Sequence, residues 1–252
     1  PASIVPHDDG DLLEEQKLDM GLEELDAIPE LDSPSSLLSL NLKVNKIKEV
    51  TGLKACAELR ELLLNDNQIA ALGDIRGLTK LRQLSIDMNR LQSLDGIGSC
   101  SQLRTLSASS NSIECVAPLQ KCVELERLTL YRNQIAGLHG LSSLRWLQHL
   151  DLGRNALKTL DGLGECPALQ TLVLYENQIE EVKPGALQAP LLRELWLSGN
   201  PLKSLDFAEG LPSLEHLHVS DAQIQDMSPL SRCRLLRTLD MSFNGVAHLT
   251  DL

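Results

Sequence analysis

A 22-residue spacing of leucines constrains the fold of this chain more than any other feature. Residues 125–146 read LERLTLYRNQIAGLHGLSSLRW, and diverged copies of this segment lie on both sides of it. Leu147 begins the next copy in the same phase. Because one copy cannot bury its own leucines, several copies must stack on one another. The spacing therefore predicts a repeat protein in which each copy forms one coil.

Each part of the copy predicts a different local structure. Leu128 and Leu130 alternate with more polar residues, which predicts a short strand with its leucines inward. Asn133 follows at the turn, where its amide is predicted to bond backbone groups of adjacent coils. From Ile135 to Leu144 apolar residues recur at every third position, which is typical of a 3₁₀-like or loosely helical return. The predicted fold is an α/β solenoid, a right-handed horseshoe with a parallel concave sheet and 3₁₀ or short-helix convex returns.

The turn position marks ten strands along the chain. Successive markers are 22 residues apart except between Asn177 and Asn200, where the interval is 23 and the extra residue is placed in the convex return 182–190. At Ala222 the amide is missing, so water or a shifted turn must satisfy its backbone partners, at a predicted cost of roughly 1–3 kcal/mol. The markers are Asn45, Asn67, Asn89, Asn111, Asn133, Asn155, Asn177, Asn200, Ala222 and Asn244.

The ends of the chain depart from this regular pattern. Residues 1–16 form a predicted acidic N-terminal arm, and residues 17–252 form the predicted repeat domain. About ten repeats fill residues 37–252, and the last one stops at Leu252 before its return is complete. Because an uncapped coil exposes apolar edges, we expect that the C-terminal cap is missing and that this is one section of a larger polypeptide.

Residues 17–36 have two interpretations. Leu18 precedes Leu40 by 22 residues, but Glu23 replaces the turn asparagine, which indicates a degenerate capping repeat. Alternatively, a capping helix begins at Asp11, with Glu14 completing a capping box. We favour the degenerate repeat for 17–36.

Charge and hydropathy exclude two classes of partner. Acidic residues outnumber basic ones by 35 to 23. Eleven of the acids lie in residues 1–32 beside a single base, Lys17, so the remainder is nearly neutral. The chain has no basic stripe of the kind that nucleic-acid binding needs. It also has no apolar run long enough to cross a membrane and no signal peptide, so we expect a cytoplasmic protein.

The six cysteines predict neither a disulfide framework nor a metal site. Five of them share one repeat position, which leucine holds in other copies. A thiol that exchanges with leucine behaves as a small buried hydrophobic group, which is consistent with a reducing, intracellular setting. We therefore predict no cofactor. The five are Cys56, Cys100, Cys122, Cys166 and Cys233, with Cys115 outside the series.

The ten copies of LxxLxLxxNxI/LxxL resemble the leucine-rich repeat family over essentially all of residues 18–252. The 22-residue period and the apolar triplets after the asparagine are similar to the subclass of the leucine-rich regulatory subunit of protein phosphatase 1 and outer-arm dynein light chain. This resemblance implies a horseshoe whose concave sheet binds another protein, without naming the partner. The acidic start and the absent C-terminal cap depart from those family members.

The strand register places four of the six aromatic side chains, Tyr131, Tyr175, Trp196 and Phe243, on the concave face. Exposed aromatic residues flanked by arginines are typical of protein interfaces, although a solvated face with incidental aromatics is the alternative. The predicted partner-binding residues are Arg127, Tyr131, Arg132, His149, Arg154, Val173, Tyr175, Glu176, Trp196 and His218.

No arrangement of residues indicates catalysis. The chain has neither a recognisable nucleophile–base pair nor a glycine loop that could cradle phosphate. His216 and His218 face the same side between Glu194 and Asp240, where ordinary hydrogen bonding is favoured over zinc.

We therefore predict a noncatalytic, cytoplasmic protein-binding scaffold. It would be a subunit of a larger assembly in a cytoskeletal or axonemal setting, such as a cilium. The alternative is a regulatory subunit that docks a protein phosphatase catalytic domain. A third interpretation, an enzyme whose catalytic domain lies outside these residues, also remains open.

Overall fold

The computed structural model describes residues 16–183 and 185–246, so most of the predicted acidic arm lies outside the described residues. Eleven parallel strands lie side by side in chain order and form one open sheet, as the repeat predicts. Each strand has three residues and pairs with the equivalent residues of the next coil; Leu128, for example, is opposite Leu150. The strands are β1 (Lys17–Asp19), β2 (Ser39–Asn41), β3 (Glu61–Leu63), β4 (Gln83–Ser85), β5 (Thr105–Ser107), β6 (Arg127–Thr129), β7 (His149–Asp151), β8 (Thr171–Val173), β9 (Glu194–Trp196), β10 (His216–His218) and β11 (Thr238–Asp240).

The alternation of the strand residues produces the core. In β6 the central Leu128 is fully buried, whereas Arg127 on one side is exposed and Thr129 on the other is partly buried. The same alternation stacks one leucine per coil, and the buried apolar residues from Ile28 to Cys233 form one continuous cluster. Because burying each leucine contributes about 1.5–3 kcal/mol, the stack rather than any single coil holds the fold together.

The convex side is made of short turns instead of long helices. The described residues contain six 3₁₀ helices, in agreement with the triplet spacing of apolar residues. No helix in this part of the chain has the length and hydropathy needed to span a membrane. The 3₁₀ helices are Pro34–Ser36, Gly73–Gly77, Ile97–Ser99, Ala117–Lys121, Asp206–Gly210 and Ser228–Arg232.

The turn asparagines join neighbouring coils through their amides, as predicted. The Asn133 Nδ2 donates to the carbonyl oxygens of Leu130 and of Ala108 in the preceding coil, both at 3.0 Å. Its Oδ1 accepts the Ile113 N–H, also in the preceding coil, at 2.9 Å. One side chain therefore joins two coils, because it pairs the Ile113 N–H and gives each of the two carbonyl oxygens one of its donors.

In the coil at Ala222, which lacks this amide, one backbone group of the preceding coil has a different partner. The Leu202 N–H, which an asparagine at 222 would accept, instead donates to the Asn200 carbonyl oxygen at 2.8 Å. The surrounding backbone keeps the regular form, since Asp221 has the left-handed φ of 52° and the Gln223 N–H still donates to the Leu202 carbonyl oxygen. The site is thus preorganised for the missing amide.

Replacing Ala222 with asparagine is expected to raise the free energy of unfolding by about 1 kcal/mol, because the new amide restores one or two bonds between coils. Urea unfolding followed by circular dichroism measures the change. Ala222→Asp is the control, because its carboxylate supplies an acceptor for Leu202 but no donor. A loss of stability in the asparagine variant would show that the Leu202 N–H cannot leave the Asn200 carbonyl oxygen for the new amide.

Two irregular coils fit into the same sheet. β1 pairs with β2 with Leu18 opposite Leu40, so residues 17–19 form a strand and the alternative of a helix running through them is wrong. Asp11 and Glu14 lie outside the described residues. Farther along the chain, a bridge between Glu165 and Gln188 already has the 23-residue offset, so the extra residue lies between Asn177 and Gln188, in the convex return.

The cysteine series is buried as a set of small hydrophobic groups, and Cys115 alone is exposed. Burial raises the pKa of the Cys100 thiol to about 12 and that of Cys122 to about 11. The Cys100 and Cys122 thiols each contact a backbone carbonyl oxygen of the preceding coil at 3.5 Å. These thiols stay protonated at neutral pH, which suits packing rather than redox chemistry.

Candidate protein-binding face

The residue before each turn asparagine adopts a left-handed backbone, which the sequence pattern does not reveal. Arg132, Arg154 and Glu176 have φ values of 55°, 54° and 52°. This conformation costs an L-residue about 1–2 kcal/mol, and it lets its N–H bond the next coil, as the Arg132 N–H bonds the Gly153 carbonyl oxygen at 2.9 Å. These side chains therefore stand along the rim of the concave face.

The centre of the face is a pair of tyrosines from alternate coils. Tyr131 and Tyr175 are two coils apart, roughly 9.6 Å at the usual strand spacing, yet their ring centroids are only 6.0 Å apart and tilted by 38°. Gly153 lies between them, and a Cβ at that position would be 2.9 Å from Cε1 of Tyr175. The missing side chain of Gly153 thus provides the space over which the tyrosines meet.

The rim residues of the next two coils close one side of this pair. The Arg154 guanidinium donates through Nε and Nη2 to the two carboxylate oxygens of Glu176, at 2.8 and 3.0 Å. Its Cζ also lies 5.8 Å from the centroid of the Tyr131 ring, within the range of a cation–π contact. Since the ion pair is about half exposed to water, we assign it a positioning role rather than a large contribution to stability.

A second aromatic unit lies on the next two strands, β9 and β10. The Trp196 and His218 rings are stacked, with centroids 3.7 Å apart and planes 10° from parallel. The Trp196 Nε1–H donates to the Glu194 carboxylate at 2.9 Å, which fixes the indole. The two units present partly buried, preoriented rings, so a partner would pay little conformational entropy to engage them.

Titratable groups on the floor of the face are shifted by burial. Burial lowers the pKa of His149, and the neighbouring Arg127 adds to the decrease. Burial raises the pKa of Asp151, although the Gly153 N–H bond opposes the rise. Burial also raises the pKa of the Tyr175 phenol to about 12. The floor therefore disfavours extra charge, which suits contact with a desolvated partner surface.

Stability is expected to fall as pH decreases below about 6.5, partly because of His149. Its pKa in the folded protein is lower than the ordinary histidine value of 6.5, so the unfolded chain binds the proton more tightly in the window between the two pKa values. The variant His149→Gln removes this contribution and should show a smaller loss of unfolding free energy between pH 7.5 and about 5. Equal pH profiles for both proteins would contradict the assignment.

The ten predicted binding residues fall into two contact groups and four separate positions. Tyr131, Arg154, Tyr175 and Glu176 form one cluster, and Trp196 with His218 forms the other. Arg127 and Arg132 are exposed beside the first cluster, and no ion pair involves them within residues 16–183 and 185–246. His149 and Val173 lie partly buried on strands β7 and β8.

The remaining polar and aromatic residues of the face have more ordinary surroundings. The His216 Nδ1 and the Thr238 hydroxyl are hydrogen-bonded at 3.0 Å. In the part of the chain that the structure describes, no group of three or more histidine, cysteine, aspartate or glutamate residues could hold a metal ion. Phe243 is at the rim with 86% of its surface exposed, away from both aromatic units.

The sequence of the repeats matches a known family model. The model described as "Leucine Rich repeats (2 copies)" matches residues 57–99, 145–185 and 190–232, which together are just over half of the chain. The chain belongs to the leucine-rich repeat family. No curated protein sequence matches this leucine-rich repeat protein significantly.

Solved structures show the same fold. An internalin (InlF) of Listeria monocytogenes is 21% identical with a TM-score of 0.69, over 88% of this leucine-rich repeat chain and 72% of the internalin. Internalin C2 of the same organism is 26% identical with a TM-score of 0.65, over 82% of each chain. The ectodomain of the Arabidopsis thaliana receptor kinase GASSHO1/SCHENGEN3, solved in complex with CASPARIAN STRIP INTEGRITY FACTOR 2, is 24% identical with a TM-score of 0.69, over 83% of this chain and 27% of the ectodomain.

Two features of the face cannot be predicted from the repeat pattern. The role of Gly153 depends on how the Tyr175 ring leans across a neighbouring coil, which the register alone does not specify. The bond between Trp196 and Glu194 joins residues on either side of a buried leucine, and it requires a particular rotamer. In the sequence, this contact is indicated only by the two tyrosines of the chain, which share one repeat position and lie one coil on either side of a glycine at that position.

Proposed function

We propose that this protein is a noncatalytic scaffold that binds a protein partner on its concave face, across the Tyr131–Tyr175 pair and the Trp196–His218 stack. The observation that carries the proposal is the contact of the two tyrosines over Gly153. It holds two large rings in place on a face whose other side chains are mostly small or polar. Such rigid, partly exposed aromatic groups are the usual energetic centre of a protein interface.

The charges around the tyrosines favour a partner with carboxylates at its edge. Arg154 is already satisfied by Glu176, whereas the exposed Arg127 and Arg132 lie on the same coil as Tyr131. Arginine at the rim of an aromatic centre can pair with carboxylates through a planar fork of donors. The proposal is thus an apolar or aromatic contact on the rings with acidic residues beside β6.

The family supports an interaction role of this kind. Leucine-rich repeat proteins serve as protein-interaction modules, and the plant receptor ectodomain was solved with its partner bound. We extend this property to the present chain only as part of the proposal. The fold itself fixes neither the partner nor the face that it uses.

The resemblance to outer-arm dynein light chain favours a cytoplasmic, cytoskeletal or axonemal setting in a larger assembly. The resemblance to the leucine-rich regulatory subunit of protein phosphatase 1 favours docking of a phosphatase catalytic domain instead. Cosedimentation with microtubule assemblies supports the first setting, and direct binding of purified phosphatase catalytic subunit supports the second. Neither result would move the proposed binding face.

Capture of partners from cell lysate tests the proposal. The chain is compared with a variant that carries Tyr131→Ala, Tyr175→Ala and Trp196→Ala and that circular dichroism shows to be folded. We expect a defined partner on the unchanged protein and its loss from the variant. The exposed rim residue Met88 provides a matched control, because Met88→Ala removes a large apolar side chain elsewhere on the rim. Equal recovery of all partners by the triple variant would overturn the proposed site.

A further inference from the structure

A second surface lies along the edge of the solenoid where each coil enters its strand. In each coil the ladder of bonds to the preceding coil begins at one backbone N–H, such as that of Gln148. The residue two positions before this N–H in five successive coils is Trp146, Ala168, Leu191, Ser213 and Leu235. Trp146 is 65% exposed, Leu191 51% and Leu235 55%. In the four preceding coils the same position holds Glu58, Lys80, Gln102 and Glu124. The edge therefore changes from polar to apolar at Trp146.

The backbone fixes the spacing of this apolar edge, which we define as Trp146, Ala168, Leu191 and Leu235. The ladder of bonds Gln170 N to Gln148 O, Arg193 N to Gln170 O and Glu215 N to Arg193 O continues the sheet just beyond these residues. Successive coils are therefore about 4.8 Å apart, and the edge extends over roughly 19 Å. The largest side chains recur every second coil, about 9.6 Å apart.

In three coils a proline directly before the edge position makes the surface less polar still. Pro167, Pro190 and Pro212 precede Ala168, Leu191 and Ser213, and all three prolines are exposed. Proline offers no N–H to a partner. The strand backbone beyond the edge is also occupied by bonds between coils, so an added β-strand has no free backbone to pair with. A partner must therefore bind through side chains.

We propose that the apolar edge binds an amphipathic α-helix of a partner protein that has acidic residues beside its apolar face. A helix repeats its apolar face every seven residues, or about 10.5 Å, which is close to the spacing of Trp146, Leu191 and Leu235. A helix of about fifteen residues would place side chains at i, i+7 and i+14 against these three positions. This surface is separate from the concave face and goes beyond the function proposed above.

The charges at the two ends of the edge favour a bound helix with acidic residues. Arg145 and Arg234 are exposed beside Trp146 and Leu235, and neither has an ion pair within the described ranges. Acidic residues on a bound helix would pair with both arginines. A second copy of this chain, related by a two-fold axis, would instead bring Arg145 opposite Arg234. The narrow strip also buries far less than the roughly 1,600 Å² of a standard stable interface between two folded proteins.

A crevice next to the edge offers room for a further side chain of the helix. It has a volume of about 730 Å³, and its wall includes Pro190 together with the buried Ala189 and Phe207. Glu209 and Arg232 lie at its rim and form an ion pair at 3.1 Å. The apolar wall continues the surface of Leu191 toward the convex side.

A designed helical peptide tests the proposal on the full chain. The probe is an 18-residue peptide with leucines every three or four residues and glutamates on both flanks of that stripe, and a scrambled peptide of equal composition is the control. Trp146 is one of two tryptophans, so Trp196→Phe isolates its fluorescence. We expect a blue shift of Trp146 emission on addition of the probe, and at least tenfold weaker binding by Leu191→Glu.

Three further outcomes decide the proposal. Met88 is an exposed apolar residue on the opposite rim, so the Met88→Glu variant should bind the probe as the unchanged protein does. Arg145→Glu should weaken the glutamate-flanked probe and favour a lysine-flanked version. The triple concave variant should also keep its affinity, which separates this site from the concave one. No blue shift, equal binding of the scrambled peptide, or self-association that Leu191→Glu abolishes would each overturn the assignment.

Discussion

Replacing Asn177 with alanine is expected to lower the free energy of unfolding by about 1–3 kcal/mol, because the buried Leu157 N–H loses its partner and two carbonyl oxygens each lose one of two donors. Asn177 is 7% exposed. Its Nδ2 donates to the carbonyl oxygens of Leu152 and Leu174 at 3.0 and 2.9 Å, and its Oδ1 accepts the Leu157 N–H at 3.0 Å. Alanine leaves the Leu157 N–H unpaired in a place that water reaches poorly, whereas the Leu152 and Leu174 oxygens still accept from Asn155 and Asn200.

Two measurements check this expectation. Urea unfolding gives the overall loss, and native-state hydrogen exchange should show the largest loss of protection at Leu157, whose N–H is released. Gln178→Ala is the matched control, since it truncates an exposed amide one residue away. An Asn177→Ala variant that loses less than about 1 kcal/mol would contradict the role of the asparagine ladder.

Replacing Gly153 with valine is expected to weaken partner binding by roughly ten- to a hundredfold, or about 1.4–2.8 kcal/mol, while the fold survives. An added Cβ would lie 2.9 Å from Cε1 and 3.1 Å from Cζ of Tyr175. The contacted atoms belong to the far end of a side chain, so the ring can rotate away at small cost. The tyrosine pair then separates although both tyrosines are still present.

A phenol titration reports this rearrangement independently of any partner. Tyr131 and Tyr175 are the only tyrosines of the chain, and the pKa of Tyr175 is raised to about 12 by burial. In Gly153→Val the Tyr175 ring becomes more exposed, so its pKa should fall toward the ordinary tyrosine value of 10. Gly77→Val is the control, because no atom lies within 4 Å of a Cβ built there. Unchanged titration and unchanged binding in Gly153→Val would contradict a role of the tyrosine pair in partner binding.

The sequence predicts those parts of the fold that a coil repeats. The burial of Leu128 and Leu130 is predictable because the equivalent residues of the coils from β2 to β10 are buried in the same way. The role of Asn133 follows from backbone groups that any such turn must satisfy. At Ala222 the sequence predicts a missing amide but not the new acceptor of the Leu202 N–H, which is the Asn200 carbonyl oxygen. Repetition makes the register reliable, so the residues of the concave face follow from it.

The contacts within the site are less predictable because they depend on rotamers and on differences between coils. Arg154 and Glu176 are equivalent positions of adjacent coils, but their pairing also needs the left-handed backbone that turns both toward the rim. The approach of Tyr131 to Tyr175 requires the space above Gly153. The apolar edge at Trp146 and Leu191 belongs to neither the strand nor the return pattern, so those patterns do not predict it.

Site-specific photocrosslinking of the captured complex shows most directly whether a partner binds the concave face. A photoreactive residue is placed at Thr171, which is partly buried on the concave side of β8, or at Lys158, which is exposed beyond the strand after the turn asparagine. We expect a crosslink to the partner from position 171 and none from position 158. Crosslinking from position 158 alone would contradict it and would place the partner outside the concave face.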